Sequence, residues 1–421
     1  MVNHPFLFPI PIIDTIEAIK DKKQCQKNIA NRKDYRLTLA FLSIYNGNNA
    51  TFESYRRELE RLLQWAWLTA QKSILTLTRE DIETYIQFCM KPPKQWIGKK
   101  RVARYLLHEG VRVPNPAWRP FVAKVSKSKV KQGKRARVSS YRMSQNSVRA
   151  LFAILSRFYE YLVFEEKIQR NPVAAIRQKS RYLQKHQQQT QIIRLSDDQW
   201  RACLKAVKRM AKKNPRLHAR TRFIVIAMYL MYLRISEFVA TERWTPTMNH
   251  FYRDSDQQWW FKILGKGNKL RTIAVSDAML EAFKQYRESL GLDPLPSPAD
   301  ASPLIPKTRG AGAMQSVRQI RRVIQSCFDQ AVLVLRKKEK VEEADALETA
   351  TVHWLRHTGI SDDVNKRGRP IAHVRDDAGH ASIVTTGAYS DVELKDRHQS
   401  AKRKTTRIKK TLTKSEEQRK T

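Results

Sequence analysis

With 421 residues, the chain exceeds the size at which one hydrophobic core keeps growing, so two domains are expected. Its 80 lysine and arginine residues stand against 40 aspartate and glutamate residues, and the formal charge of +40 favours nucleic acid as the partner over an anionic membrane surface. The longest apolar run, residues 223–233, is too short to span a bilayer and predicts a buried core helix.

The cysteines and the N-terminal segment bear on the compartment. Cys25, Cys89, Cys203 and Cys327 lie far apart without a Cys-x-x-Cys pair, which argues against a disulfide framework or a zinc ribbon and predicts reduced core residues. Residues 1–13 contain three prolines and lack a charged stretch followed by a cleavable apolar stretch. A cytoplasmic, nucleoid-associated protein is therefore expected.

An N-terminal extension, residues 1–33, precedes a stretch that predicts a helical domain over residues 34–173. Apolar residues recur at helical spacing in two segments between residues 34 and 90, the second of them after Thr78 as the cap. A longer apolar stripe predicts the last helix of this domain, which ends near Asn171-Pro172. Its members are Val148, Leu151, Phe152, Leu155, Phe158, Tyr159 and Leu162.

Within this domain, residues 124–142 form a nearly acid-free stretch that is poor in apolar residues. Its basic members are Lys124, Lys127, Lys129, Lys131, Lys134, Arg135, Arg137 and Arg142. Such a segment is either a solvated loop or an arm that follows DNA phosphates and becomes ordered on binding. The charge of the whole chain favours the DNA-binding arm.

Residues 174–194 are rich in arginine, lysine and glutamine, the composition of an extended linker between the two domains. Beyond it, Ser196 predicts the cap of a first helix. Residues 222–240 are long and apolar enough for a central helix, and residues 317–336 return to helical spacing ahead of a charged stretch. A basic tail, residues 396–421, follows this domain.

A small sheet is predicted in the middle of the second domain. Residues 259–264 and 270–275 are β-type runs that flank Gly-Lys-Gly-Asn-Lys, a hairpin signal. The polar stretch before them, residues 245–258, is interpreted as an insertion.

The second half also contains residue types suited to phosphodiester chemistry. His353-Trp354-Leu355-Arg356-His357 places basic groups one helical turn apart, where they can face a common phosphate. Cleavage by an oxygen nucleophile builds charge on the non-bridging oxygens, which arginine's planar fork binds in pairs. Arg234, with Glu237 about a turn away to orient it, is the second candidate, and Tyr389 is the only tyrosine after Tyr286.

A zinc site is the alternative for His353 and His357, which have i, i+4 spacing. The glutamate of His-Glu-x-x-His is missing, and Arg356 puts a cation where a metal would be repelled. No metal and no cofactor are expected.

Taken in order, Leu-Arg-Ile-Ser-Glu at residues 233–237, the Gly-Lys-Gly-Asn-Lys hairpin, His-x-x-Arg-His, Gly379-His380 and a tyrosine nine residues later form a pattern that resembles the tyrosine recombinase (phage integrase) family. The resemblance covers residues 196–395, and the helical, basic first half is similar in character to the family's core-binding domain. It implies a mainly α fold with a small β-sheet (α+β) and a catalytic domain over residues 195–395.

The resemblance also implies roles for individual residues. Arg234, Arg356 and His353 would activate the scissile phosphate, His380 would support it, and Tyr389 would become joined to the 3′ phosphate. The departing 5′ oxygen would be protonated by Lys266 of the hairpin, with Lys269 as the alternative. His357 is expected to pack or hydrogen-bond behind the site.

The function implied is that of a site-specific DNA recombinase or integrase that acts as a homotetramer on two double-stranded DNA sites, without a small-molecule substrate. A type IB topoisomerase and a catalytically silent DNA-binding protein of the same fold remain alternatives. Departures from the family pattern are Tyr232 where a glycine is frequent, Ala378 in place of a leucine, and Asp376-Asp377 beside the site.

Overall fold

The computed structural model describes residues 9–17, 29–125, 130, 133–174, 176, 193–265, 267–389 and 402. Contacts divide the chain into two compact units, Met1–Gln188 and Gln189–Thr421. Each unit buries its own hydrophobic core. Lys127, Lys129, Lys131, Lys266, most of the predicted linker and nearly all of the basic tail lie outside the described residues.

Unit one is built from four helices and four short strands within the described residues. Its helices are α1 (Arg32–Ser43), α2 (Asn49–Trp65), α3 (Arg79–Met90) and α4 (Gln145–Phe164). Side-chain oxygens cap the N-termini of these helices. Asn31 accepts hydrogen bonds from two backbone N–H groups of α1, and Thr78 forms a capping box with Asp81 at the start of α3. The predicted cap at Thr78 is confirmed.

The core of unit one forms where α4 packs against the other helices. All seven apolar residues predicted on one stripe of this helix are buried. Part of the segment predicted to be an N-terminal extension also belongs to this core, because Ile12, Ile13 and Ile16 are buried in it. The buried carboxylate of Glu60 accepts the backbone N–H groups of Ile12 and Ile13, which fastens the segment.

Two small sheets interrupt the helices of unit one, and the sequence pattern did not predict them. Strands β1 (Ile97–Gly98) and β4 (Phe121–Val122) pair in parallel, while β2 (Tyr105–His108) and β3 (Val111–Pro114) form an antiparallel hairpin. Strands of two to four residues are too short to display an alternating pattern.

Unit two contains a three-stranded antiparallel sheet in the order β5–β6–β7. The strands are β5 (Phe251–Arg253), β6 (Trp259–Leu264) and β7 (Leu270–Ala274). The predicted hairpin is confirmed, with Leu264 opposite Leu270 at its end. Interpreting residues 245–258 as an insertion was incomplete, because this stretch contributes the third strand.

The helices of unit two enclose its core. They are α5 (Asp197–Lys213), α6 (Pro215–Leu230), α7 (Asp277–Glu288), α8 (Val317–Arg336), α9 (Val341–Thr349), α10 (His353–Asn365), α11 (Ile371–Ala378) and α12 (Ile383–Gly387). Ser196 caps α5 in a capping box with Gln199, as predicted. Cys203 and Cys327 are free and buried in this core, and Cys89 is free and buried in unit one, whereas Cys25 lies outside the described residues.

The central helix α6 begins and ends earlier than the predicted residues 222–240. Pro215 occupies its first turn after the Asn214 cap, which sets the start. The chain then turns at Tyr232, whose φ of 52° is left-handed, and continues as a 3₁₀ turn, Ile235–Phe238. In the part of the chain that the structure describes, no helix has the length and apolarity needed to cross a membrane.

Candidate active site

Helix α10 presents three of the predicted side chains on one face. His353, Arg356 and His357 follow at i, i+3 and i+4, so they project from adjacent turns. The helix lies close to α6 at Gly359, where a Cβ atom would stand 1.9 Å from the carbonyl oxygen of Tyr229. Glycine at position 359 therefore allows α10 to pack closely against α6, and this packing sets the position of the α10 face that carries His353, Arg356 and His357.

Arg356 is buried, and backbone oxygens hold its guanidinium. It donates to the carbonyl of Tyr232 and, at 2.6 Å, to the carbonyl of Ala378. Its Nη2 also lies 3.1 Å from Nε2 of His380. Burial first, and then the nearby Arg234, lower the pKa of Arg356 to about 10, so an anion beside it would be strongly stabilised.

Arg234 contacts the same turn. Its Nη2 donates to the carbonyl of Gly379 at 3.1 Å, next to the Ala378 carbonyl that Arg356 contacts. The side chain keeps 24% of its surface exposed. Two guanidinium groups distant in the chain thus meet at consecutive carbonyls, as expected of a site for a single phosphate.

Glu237 orients Arg234, and a third arginine orients Glu237. The Glu237 carboxylate accepts from Arg234 Nη1 at 3.1 Å and from Arg271 Nη1 and Nη2 at 2.7 and 2.8 Å. Burial opposes the charge, but the bonds from Arg271 outweigh it and lower the pKa of Glu237. Sequence reasoning missed Arg271. The available signal was an arginine two residues after the Gly-Lys-Gly-Asn-Lys turn.

His380 follows the left-handed Gly379, which ends α11 with a φ of 62°. A Cβ at Gly379 would also lie 2.9 Å from Cδ of Arg271, so the position requires glycine. The ring of His380 contacts Thr386 Oγ1 through Nδ1 at 2.9 Å and Arg356 through Nε2. Burial, Arg356 and Arg234 lower the pKa of His380 to about 4.

Tyr389 lies against this cluster. Its ring is parallel to that of His380, with centroids 5.9 Å apart, and the residue is 5% exposed. Its hydroxyl lies 2.6 Å from Nδ1 of His357. Burial raises the pKa of the Tyr389 phenol, although Arg356 and Arg234 oppose the shift. His357 was expected to pack or hydrogen-bond behind the site, and its hydrogen-bond contact is with the phenol oxygen itself.

His353 is exposed at the start of α10, with its ring centroid 6.5 Å from that of His357. Partial burial, then Arg356, Arg321 and Arg234, lower the pKa of His353. Arg321, on α8, is another nearby cation that the sequence did not single out. The described residues contain no group of three or more His, Cys, Asp or Glu side chains arranged to hold a metal ion.

The lysine hairpin is only partly described. Gly267 and Asn268 both have left-handed φ, of 77° and 58°, as the tight turn requires. Lys269 is exposed, and its carbonyl accepts from Gly265 at 2.8 Å. Lys266 lies outside the described residues, so the assignment of the general acid to Lys266 or Lys269 stays a prediction.

The residues of this site lie within a segment that resembles a known family. The family model described as the phage integrase family matches residues 193–395. Tyrosine recombinase XerC of Chlorobaculum parvum is 23% identical over 255 residues, which cover 58% of this chain and 69% of that protein. Tyrosine recombinase XerD of Rickettsia prowazekii is 26% identical over 256 residues, which cover 60% and 74%.

Among solved structures, the XerH site-specific recombinase bound to palindromic difH substrate, in a post-cleavage complex, aligns with a TM-score of 0.50 at 13% identity. The alignment covers 91% of this chain and 92% of that chain. Residues 193–395 belong to the phage integrase family, and the chain is similar to tyrosine recombinases.

This tyrosine recombinase departs from the family pattern at Tyr232, and the structure explains how the chain tolerates it. A left-handed φ strains a residue that has a side chain, by about 1–3 kcal/mol. The Tyr232 hydroxyl offsets that strain, because it donates to Asp363 and accepts from Arg369 at 3.0 Å while the ring is fully buried. The carbonyl of Tyr232 still holds Arg356, as a glycine carbonyl at this position would.

The two aspartates beside the Gly-His turn have different surroundings in this recombinase. Asp377 is buried and accepts from Arg369 at 2.7 Å and from the backbone of Ala274 at 3.3 Å. Its carbonyl accepts from Arg271 Nε at 3.1 Å. Asp376 is exposed and pairs with its neighbour Arg375. Asp377 therefore ties α11 to β7, so this unusual residue has a structural role.

The described basic residues of the predicted DNA-binding arm are Lys124, Lys134, Arg135, Arg137 and Arg142, and all are exposed. Arg142 donates to the carbonyl of Tyr141 at 2.7 Å, which leaves part of its fork open. Exposed cations of this kind can contact phosphates at little desolvation cost.

Proposed function

We propose that Tyr389 attacks a DNA phosphodiester and becomes joined to the 3′ phosphate, so that this recombinase cleaves and rejoins duplex DNA at specific sites. The observation that carries the proposal is the meeting of Arg234 and Arg356 on the carbonyls of Gly379 and Ala378, with the buried phenol of Tyr389 beside them. Cleavage without this convergence would leave the charge on the phosphorane uncompensated.

The two arginines act on the phosphate oxygens. Negative charge develops on the non-bridging oxygens as the Tyr389 oxygen bonds to phosphorus, and the guanidinium groups of Arg234 and Arg356 stabilise it. Glu237 and Arg271 keep Arg234 in place through their bidentate contact. His353 is assigned as a further donor to the phosphate, and His380 supports the site through its contact with Arg356.

The departing 5′ oxygen needs a proton, because an alkoxide is a poor leaving group. The hairpin lysine is assigned to that task, with Lys266 preferred and Lys269 as the alternative. The phosphotyrosine keeps the phosphodiester energy, so attack by a 5′ hydroxyl restores the strand without ATP. The arginines provide charge stabilisation of the kind that a metal ion supplies in other phosphoryl-transfer enzymes.

The assembly proposed is a homotetramer on two DNA sites, acting where the DNA lies, in the nucleoid of the cytoplasm. Strand exchange between two duplexes needs one nucleophile for each of four strands, and each chain supplies one Tyr389. The basic arm, Lys124 to Arg142, is assigned to the DNA backbone. The stretch after Tyr389 is proposed to dock on a neighbouring subunit with Val392 and Leu394 as its few anchors, and both of these residues lie outside those described.

Trapped adducts would test the proposal. Cells expressing the chain are lysed in SDS, covalent protein–DNA adducts are precipitated, and the attached DNA is sequenced. Wild-type protein should yield one recurring sequence joined at the 3′ phosphate, and Tyr389→Phe should yield no adduct. Adducts that persist in Tyr389→Phe would show that Tyr389 is not the nucleophile.

A plasmid assay separates recombinase from topoisomerase. A supercoiled plasmid without the recovered sequence should stay supercoiled, whereas a plasmid with two copies should give deletion or inversion products. Relaxation of the plasmid without the sequence would favour a type IB topoisomerase. Binding without any adduct would favour the catalytically silent protein.

A further inference from the structure

The phenol of Tyr389 has a partner that can accept its proton. Nδ1 of His357 lies 2.6 Å from the phenol oxygen, in a pocket that leaves Tyr389 only 5% exposed. Asn365, two turns further along α10, donates to the Tyr389 carbonyl at 2.8 Å. One helix thus holds both the hydroxyl and the backbone of the nucleophile, so the short contact is built into the fold.

The other imidazole beside the phenol is already engaged. Nε2 of His380 lies 3.1 Å from Nη2 of Arg356, and a guanidinium can only donate, so this nitrogen is the acceptor. Nδ1 of His380 then carries the hydrogen and donates to Thr386 Oγ1 at 2.9 Å. The one acceptor nitrogen of the His380 ring is therefore occupied by the hydrogen bond from Arg356. The ring faces the phenol but cannot accept its proton.

We propose that His357 is the catalytic base that takes the phenolic proton of Tyr389, an inference that rests on the proposed function. As the phenol oxygen bonds to phosphorus, its proton moves to Nδ1 of His357, the bond from phosphorus to the 5′ oxygen breaks, and the hairpin lysine protonates that oxygen. On rejoining, the 5′ oxygen bonds to phosphorus and its proton returns to the hairpin lysine, while the bond from phosphorus to the Tyr389 oxygen breaks and the imidazolium of His357 returns its proton to that oxygen.

The electrostatics make this transfer depend on the bound phosphate. The groups that face His357 are His353 and Arg356 on its own helix, Tyr389 after α12 and His380 after α11. Burial, then His353 and Arg356, lower the pKa of His357 to about 4, so the proton stays on the phenol in the free protein. A phosphate between the arginines opposes their field and makes the imidazole more basic.

Single-turnover cleavage of a nicked duplex that carries the sequence recovered from trapped adducts tests the proposal. His357→Asn removes the titrating nitrogen while keeping a polar side chain, and adduct formation at neutral pH should slow by roughly 10²–10⁴-fold. The rate of the variant should rise with pH as hydroxide takes over deprotonation of the phenol, more steeply than that of the wild type.

A second substrate identifies which proton is concerned. Sulfur in place of the bridging 5′ oxygen leaves without protonation, so it should rescue Lys266→Ala but not His357→Asn. Rescue of His357→Asn by the sulfur substrate would assign the ring to the leaving group and overturn the proposal. An unchanged rate, or a loss with an unchanged pH profile, would also overturn it.

Controls separate this inference from the proposed function and from misfolding. His373→Asn alters an exposed histidine on α11 and should cleave at the wild-type rate. Circular dichroism and DNA binding verify the fold, and His357→Gln replaces the asparagine variant if the latter unfolds. If wild-type protein forms no adduct that requires Tyr389, the proposed function fails. If it forms the adduct and the His357 variants match it, only the base assignment fails.

Discussion

At the scale of single residues, the positions of the two phosphate-binding arginines depend on groups that are not assigned a step in the reaction. Arg234 is held by Glu237, which is held by Arg271. Arg356 is held by the carbonyls of Tyr232 and Ala378. Arginine at position 271 is suited to this task because its planar fork matches both carboxylate oxygens at once.

Replacing Arg271 with lysine tests that chain of contacts. Lysine keeps the charge but contacts Glu237 through one nitrogen, so Arg234 loses its fixed orientation and adduct formation should slow roughly tenfold to a hundredfold. The measurement is single-turnover cleavage of the nicked duplex. Arg253→Lys, at an exposed arginine on strand β5 of the same sheet, is the matched control and should leave the rate unchanged. Equal rates for both variants would contradict the role of Arg271.

The buried imidazoles predict how stability depends on pH. The pKa values of His357 and His380 are lowered to about 4, against an ordinary value of about 6.5. Between pH ~4 and pH ~6.5, these two histidines bind protons in the unfolded chain but not in the folded chain. The stabilisation that these two neutral imidazoles provide is therefore fully present above pH ~6.5 and is lost as the pH falls toward 4.

Urea unfolding at a series of pH values measures this dependence. The wild-type free energy of unfolding should fall between pH ~6.5 and pH ~4. The His357→Asn, His380→Asn double variant should lose part of that slope, because it lacks two of the groups that take up protons on unfolding. Parallel curves for the two proteins over this range would contradict the low pKa values.

At the scale of elements, the distance between α10 and α6 determines the position of the α10 face that carries His353, Arg356 and His357. Gly359 allows the two helices to approach, and a Cβ there would lie 1.9 Å from a backbone oxygen that cannot rotate away. Both helices contribute residues to the buried core of unit two. Any added side chain must therefore displace α10, and with it His353, Arg356 and His357.

Gly359→Ala should consequently lower the free energy of unfolding by about 1–3 kcal/mol and slow adduct formation. The matched control is Gly387→Ala in α12, a helical glycine where a Cβ would meet nothing within 4 Å. That variant should change stability by no more than about 1 kcal/mol, in the stabilising direction. Urea unfolding of both variants gives the comparison, and similar losses would show that the close approach is not limiting.

Some elements could be predicted from the sequence, and others could not. Helix α8 and the β6–β7 hairpin have strong periodic patterns, and their predicted positions are confirmed. The end of α6 was misplaced because residues 231–240 are as apolar as the helix before them, so periodicity gave no stop signal. The left-handed turn at Tyr232 ends the helix there, and tertiary contacts of the tyrosine side chain support that turn.

At the scale of the whole molecule, the charge of +40 governs binding to DNA. Each phosphate that a cation neutralises releases a condensed counterion, so affinity falls as the salt concentration rises. The basic arm adds exposed arginines to this field, among them Arg135 and Arg137.

Replacing Arg135 and Arg137 with glutamine should weaken binding to duplex DNA of any sequence and reduce the salt slope by about 1 for each phosphate that is no longer neutralised. The matched control replaces Arg79 and Arg157, which are paired with Glu83 and Glu160 on exposed helix faces of the same unit. Fluorescence anisotropy over a range of salt concentrations measures both. Equal slopes for the two double variants would remove the arm from the DNA interface.

The residue types and their order along the chain indicated the family and the chemistry, because metal-free cleavage of a phosphodiester by a side chain needs cations, a general acid and a nucleophile whatever the fold. Glu237 as the partner of Arg234 could be predicted from their spacing, but the long-range partners of the site side chains were decided only by the tertiary structure. The contacts of His357 with Tyr389, Arg271 with Glu237 and Tyr232 with Asp363 each join residues that are at least 32 positions apart. No local pattern encodes such pairs, since they form only when the packing of α6, α10 and β7 brings the side chains together.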